Sequence, residues 1–187
     1  MHPASRLAIV GCKGASHQPR TALGARRGFW HGWLTHTHSL TARIKSKSKH
    51  FKVRVLYEGM DDLTSAERLL LRASGPWRAR EVVLLADGHP VVWARTIVAA
   101  KGLRGPWFFL RGLGSKPLGT RLFSDPLIAR SQFVFMQRYS LSKKGLARAA
   151  NLVDWGPHPA RIARLKRRSV PALLTEVLLP ALTHLSE

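Results

Sequence analysis

The 187-residue chain contains a single cysteine, Cys12, and this shortage excludes several classes of protein. One cysteine cannot form an internal disulfide or supply a multi-cysteine zinc site, so we expect a protein of a reducing compartment, the cytoplasm. Long apolar runs are also missing, because Asp87, Gly88 and Pro90 interrupt the longest stretch. A membrane-spanning helix needs about 20 apolar residues, and we therefore expect a soluble chain.

Acidic residues are scarce as well, with 10 Asp and Glu against 31 Lys and Arg, and the net charge is +21 with histidine neutral. Such a charge favours an anionic substrate or partner but does not identify the anion. The hydrophobic fraction of 45% provides enough apolar surface for a folded core. Residues 1–28 have neither an acidic residue nor a regular hydrophobic period. We predict a basic, loose N-terminal extension at 1–28 and one folded domain at 29–187.

Short apolar alternations predict an antiparallel sheet with few helices. Strand patterns occupy the segments 44–57, 79–85, 91–98, 133–139, 161–168 and 173–179. Helices are predicted at 65–73, where Thr64 and Glu67 match a capping box, and at 141–153. Because strands and helices do not alternate, we predict an α+β fold, a single domain on a roughly six-stranded antiparallel sheet with a few short helices and flap-like loops.

The strongest turn signal is Asp87-Gly88 between two apolar runs, which predicts a β-hairpin. If the loop is symmetric, Arg80 lies directly opposite Arg95, and both guanidinium groups share one face of the sheet. Opposed like charges destabilise a sheet by up to about 1 kcal/mol, so the pair suits an anion, or a ligand with two carboxylates, lying over it. A one-residue bulge would instead flip one strand and send one arginine to solvent.

Glu176 is an acidic residue within the apolar run Leu173–Leu179, a pattern typical of a strand buried on both faces. A buried carboxylate requires a partner or a proton. Two interpretations stay open: a structural ion pair with one of the many cations, and a pocket carboxyl that acts as acid, base or hydroxyl ligand.

Other motifs predict no metal or nucleotide site. His31, His36 and His38 lack a neighbouring cysteine or acid, so we assign no metal ligand. The glycine-rich segment 112–119 lacks the Gly-Lys-Ser/Thr ending of a phosphate-binding loop. The basic stretch 164–168 is interpreted as a solvated strand face rather than a nucleic-acid contact.

Five motifs, in this order and spacing, resemble the chorismate lyase family: Arg80–Gly88, Ala94–Val98, Lys116–Gly119, Leu122-Phe123 and Leu173–Pro180. The resemblance extends from about Trp33 to Leu182. Residues 1–28 have no counterpart, and the segment 140–153 resembles an insertion whose role is open.

The resemblance implies a monomeric enzyme without a cofactor that eliminates pyruvate from chorismate and leaves 4-hydroxybenzoate, the first committed step of ubiquinone biosynthesis. It implies that Arg80 binds the ring carboxylate, that Glu176 contacts the 4-hydroxyl, and that Arg95 is a second active-site arginine. Leu118 would line the product pocket. Leu40 stands where relatives often carry methionine, an exchange that keeps an apolar wall.

Two other functions are alternatives: a non-catalytic small-molecule-sensing module of the same fold, and a basic nucleic-acid-binding protein, which we do not expect. The high charge also predicts weak association with acidic membrane surfaces. If the loops around 102–119 cover the site, product release is slow and the product inhibits.

Overall fold

Seven strands and five α-helices form the parts of the chain that the computed structural model describes, residues 29–149 and 156–185. The strands are β1 (Phe51–Met60), β2 (Trp77–Ala86), β3 (His89–Ala99), β4 (Ile128–Arg130), β5 (Val134–Tyr139), β6 (His158–Arg167) and β7 (Val170–Leu178). The helices are α1 (Phe29–Leu34), α2 (Leu40–Ser46), α3 (Ser65–Leu71), α4 (Leu118–Ser124) and α5 (Lys143–Ala149). Short 3₁₀ segments lie at Ala100–Arg104, Phe108–Gly112 and Pro180–His184. The predicted extension at 1–28, with Cys12, lies outside the described residues.

The strands form one open antiparallel sheet in the order β1-β2-β3-β7-β6-β4, and β5 also pairs with β6. Strands β4 and β5 lie one after the other along the same edge of β6. This confirms the predicted α+β class. The sheet has one strand more than predicted, because three-residue β4 is too short to show a period.

Both faces of the sheet are buried, so the central strands are apolar on both sides. One face packs against α1, α2, α4 and the first two 3₁₀ segments, with Trp33, Ile44 and Leu118 in that layer. The other face packs against α3 and α5, with Leu71 and Ala149 in that layer. The helices therefore divide the core into two apolar layers, one on each side of the sheet.

Residues 40–46 form a helix, so the strand predicted at 44–49 is wrong, and only β1, from Phe51 onward, is extended. The Ser39 hydroxyl accepts a hydrogen bond from the Ala42 amide and caps α2. Leu40 and Ile44, four residues apart, are both buried on one side of this helix. After Ile44 the sequence alternates lysine with serine. A strand there would have no apolar face to pack against the core.

The β2–β3 hairpin forms where Asp87-Gly88 predicts it, but with a bulge. Asp87 and Gly88 both have positive φ (49° and 85°), as a type I′ turn requires. Pairing is symmetric next to the turn, and then Val91 is an extra residue on β3 that shifts the register. Arg80 and Arg95 consequently lie on opposite faces of the sheet. The predicted facing of these two arginines is wrong. The alternative is correct about the bulge but not about the exposure, because Arg95 is only 3% exposed and is buried on the other face of the sheet.

Candidate active site

A cavity lies between the sheet and the layer formed by α2 and α4. The space between its walls, counted together with the open solvent at its mouth, is about 590 Å³. Its floor consists of side chains from one face of four central strands: Arg80, Val82, Leu84, Ala94, Thr96, Arg161, Leu174 and Glu176. Its other walls come from Leu40, Thr41, Val53, Pro117, Leu118, Gly119, Leu122, Arg130 and Phe133.

Arg80 provides a buried positive charge in the cavity. The residue is only 7% exposed, and its Nη2 donates hydrogen bonds to the carbonyls of Gly114 (2.6 Å) and Lys116 (3.4 Å). Its Nε has no hydrogen-bond partner, and the carboxylate of Glu58 lies 3.8 Å from that atom. Burial lowers the pKa of Arg80, and Glu58 opposes this only in part. A buried guanidinium with a spare donor is a site for an anion.

Glu176, on β7, is held by a buried arginine. Arg161, directly opposite on β6, donates from Nε to Glu176 Oε2 at 2.6 Å. The Nη1 of Arg161 donates to the carbonyls of Trp33 (3.5 Å), Leu34 (3.3 Å) and His36 (2.6 Å). The ion-pair interpretation of Glu176 is therefore confirmed, and the same carboxylate also lines the cavity. The two interpretations are compatible.

A third arginine, Arg130 on β4, stands at the exposed side of the cavity. Its guanidinium carbon lies 4.9 Å from the centre of the Phe133 ring, and that of Arg161 lies 4.3 Å from the same ring. Arg130 also donates a hydrogen bond to the carbonyl of Thr37. Burial lowers the pKa of Arg130, and the neighbouring charge of Arg161 lowers it further. Two guanidinium groups thus share one aromatic ring at the cavity wall.

Close contact between two helices shapes the apolar wall. Leu40 comes from α2 and Leu118 from the first turn of α4. A Cβ atom on Gly119 would lie 2.9 Å from Ser39 Oγ and 3.2 Å from Thr41 Oγ1. A side chain at position 119 would displace these two hydroxyls, so glycine suits the close approach of α4 to α2, and Leu118 lies in the wall of the cavity.

Four of the five site residues predicted from the sequence meet in this cavity: Leu40, Arg80, Leu118 and Glu176. Arg95 does not, because the bulge in β3 directs its side chain to the other face of the sheet. The role of Arg95 as a second active-site arginine is therefore corrected. The two further cavity arginines, Arg130 and Arg161, were missed.

Arg95 instead lies at the centre of a buried ion-pair network. It donates to the carboxylates of Glu67 (2.8 Å), Asp61 (2.9 Å) and Glu81 (2.6 Å), and to the carbonyl of Asp62 (3.0 Å). Glu67 is at the same time the acidic partner in the predicted capping box of α3, which is present. With its donors occupied by acids of its own chain, Arg95 contributes to the fold on this face.

Helix α5, within the segment that resembles an insertion, adds two cations to the same network. Arg148 donates to Asp61 (2.8 Å) and Glu81 (2.9 Å), and its guanidinium carbon lies 3.4 Å from the centre of the Tyr57 ring. Lys144 donates to Asp62 at 3.1 Å. The described part of this segment, up to Ala149, thus attaches α5 to the sheet face opposite the cavity.

None of the helices within residues 29–149 and 156–185 is long and apolar enough to cross a membrane. Over these same ranges, no group of three or more His, Cys, Asp and Glu side chains is arranged to hold a metal ion.

Comparisons with known proteins agree on one family. A model of the family described as chorismate lyase matches residues 14–185. The chain is 42% identical over 195 residues to the "Probable chorismate pyruvate-lyase" of Azoarcus sp. (strain BH72), and the match covers 100% of this chain and 97% of that protein. It is 41% identical over 165 residues to the protein of the same name from Ralstonia nicotianae, with 82% of each covered.

A solved structure shares the fold at low sequence identity. The effector domain of PhnF from Mycobacterium smegmatis matches with a TM-score of 0.53 at 15% identity, covering 76% of this chain and 89% of that chain. At this identity the likeness concerns the fold alone, the open antiparallel sheet with short helices.

Proposed function

The chain belongs to the chorismate lyase family, and from this premise we propose that it eliminates pyruvate from chorismate and releases 4-hydroxybenzoate, the first committed step of ubiquinone biosynthesis. The observation that carries the proposal is the charge of the cavity. Its charged lining residues in the described ranges are three arginines and one glutamate. Such a cavity attracts a small dianion, and chorismate carries two carboxylates.

Arg80 binds the ring carboxylate of the substrate. Its Nε has no hydrogen-bond partner, and the groups that its Nη2 contacts are neutral carbonyls. A carboxylate at this position supplies the missing acceptor and the counter-charge. Leu40 and Leu118 form the apolar walls on either side of the ring.

Glu176 accepts a hydrogen bond from the C4 hydroxyl and relays a proton. Arg161 fixes one carboxylate oxygen of Glu176 at 2.6 Å and thereby sets the direction of the other. In the reaction the C3–O ether bond breaks, the C4 proton leaves, and the departing enolpyruvate takes up a proton to become pyruvate. Formation of the aromatic ring supplies the driving force, so the protein mainly orients the substrate and stabilises the charge that develops on the leaving group.

The segment 102–119 acts as a lid over the carboxylate end of the cavity. Its carbonyls at Gly114 and Lys116 contact Arg80 directly, so the product leaves only after this segment moves. We therefore expect slow release of 4-hydroxybenzoate and inhibition by it. A burst of product in the first turnover, followed by a slower steady state, is the expected stopped-flow trace; a trace without a burst would contradict slow release.

We propose a cytoplasmic monomer that associates weakly with acidic membranes and does not use nucleic acid. The net charge of +21 supports the membrane association, as do three exposed residues in or next to the lid segment, Lys101, Arg104 and Phe108. Sedimentation with anionic and neutral vesicles tests it, and equal binding to both would contradict it. Binding to DNA or RNA that falls steeply with log salt would favour the nucleic-acid alternative instead.

The direct test is to mix purified protein with chorismate, without added metal or nucleotide, and to follow 4-hydroxybenzoate and pyruvate by chromatography. Equimolar formation of both is expected. A folded protein that forms neither, while 4-hydroxybenzoate still raises its Tm, would refute the lyase and favour the sensing module.

A further inference from the structure

The cavity contains more positive charge than the product requires. The four charged side chains that line it, Arg80, Arg130, Arg161 and Glu176, sum to +2. Chorismate has two carboxylates, whereas 4-hydroxybenzoate has one. If Arg80 binds the ring carboxylate, which substrate and product share, another cation meets a carboxylate that only the substrate carries.

The order of the strands shows on which side this second carboxylate lies. Arg80 is on β2, Glu176 two strands away on β7, and Arg130 a further two strands away on β4. Neighbouring strands are about 4.8 Å apart, so in the direction across the strands Glu176 lies between the two arginines. In chorismate the hydroxyl on C4 is opposite the ring carboxylate on C1, and the enolpyruvyl ether on C3 is next to the hydroxyl. A substrate with its carboxylate on Arg80 and its hydroxyl on Glu176 therefore carries its enolpyruvyl group on the side of Arg161 and Arg130.

These two arginines differ in exposure, and Arg161 is the buried one. It is 2% exposed, its Nε holds Glu176, and its Nη1 contacts three carbonyls of residues 33–36. Arg130 is exposed at the mouth of the cavity, where its guanidinium carbon lies 4.9 Å from the centre of the Phe133 ring and the side chain donates a hydrogen bond to the carbonyl of Thr37. We propose that Arg130 binds the carboxylate of the enolpyruvyl group, the part of chorismate that leaves as pyruvate. This inference rests on the proposed function and adds the residue that distinguishes substrate from product.

The position of Arg130 has a kinetic consequence. A carboxylate bound at the mouth has direct access to solvent, whereas one on Arg80 lies beneath the lid segment. Pyruvate therefore leaves first, and 4-hydroxybenzoate remains against Arg80 until the lid opens.

The test compares substrate and product on the same variants. Arg130→Gln keeps a long side chain with a donor but removes the charge, and Arg130→Lys keeps the charge but loses the bidentate geometry. The matched control is Arg164→Gln, which removes the same charge from an exposed position on neighbouring β6. Chorismate turnover gives kcat and KM, and calorimetry gives the Kd of 4-hydroxybenzoate.

Loss of one charge-assisted contact is expected to raise KM for chorismate by roughly 10- to 100-fold in Arg130→Gln. The Kd of 4-hydroxybenzoate stays within about 2-fold, because the product lacks the second carboxylate. Arg130→Lys recovers part of the KM, and Arg164→Gln changes neither quantity. Retained binding of 4-hydroxybenzoate also shows that the variant is folded.

An unchanged KM in Arg130→Gln would overturn the proposal, as would an equal loss of affinity for chorismate and 4-hydroxybenzoate in both Arg130 variants. These outcomes differ from failure of the proposed function. In that case the unsubstituted protein itself produces no pyruvate from chorismate, whatever stands at position 130.

Discussion

Two arginines on one hairpin, Arg80 and Arg95, are expected to respond in opposite ways to the same substitution. Arg80 faces the cavity and Arg95 faces the ion-pair network on the other side of the sheet. A methionine side chain is uncharged and fills part of the volume that the arginine side chain occupies. We predict that Arg95→Met lowers stability and spares ligand binding, whereas Arg80→Met spares stability and weakens ligand binding.

The cost of Arg95→Met follows from the carboxylates it leaves behind. Glu67 and Glu81 are 2% and 1% exposed, and each loses a hydrogen bond of 2.8 Å or less from Arg95. Removing one partner from a buried ion pair costs about 3–5 kcal/mol. For a chain of this size each kcal/mol lowers Tm by about 2–4 °C, so the expected decrease is about 6–20 °C. Arg148 retains its bonds to Asp61 and Glu81 and limits the loss.

Arg80→Met is expected to leave Tm within a few degrees of the original. The charge of Arg80 is buried, its Nε has no partner, and its nearest carboxylate, on Glu58, is 3.8 Å away. Exchanging a poorly compensated buried charge for an apolar group is often neutral or stabilising. The loss of two carbonyl contacts, at Gly114 and Lys116, offsets that gain.

The assay measures Tm by scanning calorimetry and the Kd of 4-hydroxybenzoate at a temperature at which both variants are folded. Arg95→Met should bind 4-hydroxybenzoate with unchanged Kd, and Arg80→Met should bind it at least about 10-fold more weakly. If Arg95→Met keeps its Tm but loses the ligand, the assignment of these two residues to opposite faces is refuted.

Three further predictions concern catalysis, pH and product release. Glu176→Gln should lower kcat by about 10²–10³ and lower Tm because Arg161 loses its counter-charge; a normal kcat from steady-state assays would remove Glu176 from the reaction. Burial opposes ionisation of Asp61, but hydrogen bonds from Arg148 and Arg95 outweigh it and lower its pKa far below the usual value. Because its pKa is depressed in the folded state, Asp61 contributes stability above about pH 4, and this stability is lost as the pH falls further. The Tm of the unsubstituted protein should therefore fall more steeply between pH 5 and pH 3 than the Tm of Asp61→Asn. Parallel curves of Tm against pH would contradict this. If pyruvate leaves first, 4-hydroxybenzoate should inhibit competitively against chorismate and pyruvate should inhibit noncompetitively, and the reverse pattern in initial-rate kinetics would contradict that order.

Local signals in the sequence located most elements but not the face of each side chain. The Asp87-Gly88 turn and the capping box at Thr64 both depend on a few neighbouring residues, and both are present. The bulge at Val91 depends on tertiary structure, since the Val91 carbonyl accepts a hydrogen bond from the amide of Leu179, just after the end of β7 and some 90 positions later. One such residue turns Arg95 to the opposite face.

The missed arginines differ in how they could have been found. The β6–β7 hairpin turns at Arg168 and Ser169, which both have positive φ. A symmetric pairing about that turn places Arg161 directly opposite Glu176, as observed. The spacing of the two residues about the turn was therefore enough to predict Arg161 as the partner of Glu176. Arg130 was not, because three residues of β4 show no period and their pairing with β6 is long-range.

The few acidic residues determine where this basic protein can bind an anion. Of the 10 acidic residues in the chain, four lie on one side of the sheet, close to three cations. The carboxylates are Asp61, Asp62, Glu67 and Glu81, and the cations are Arg95, Lys144 and Arg148. That face is therefore slightly negative at the network. Among the residues that line the cavity, one carboxylate stands against three guanidinium groups, and the Glu58 carboxylate lies 3.8 Å from one of them, Arg80. An anionic substrate is attracted to the side with the positive excess. The bulge in β3 turns Arg95 toward the network, where its charge compensates the buried carboxylates. The arginines of the cavity therefore face an anionic ligand without these acids.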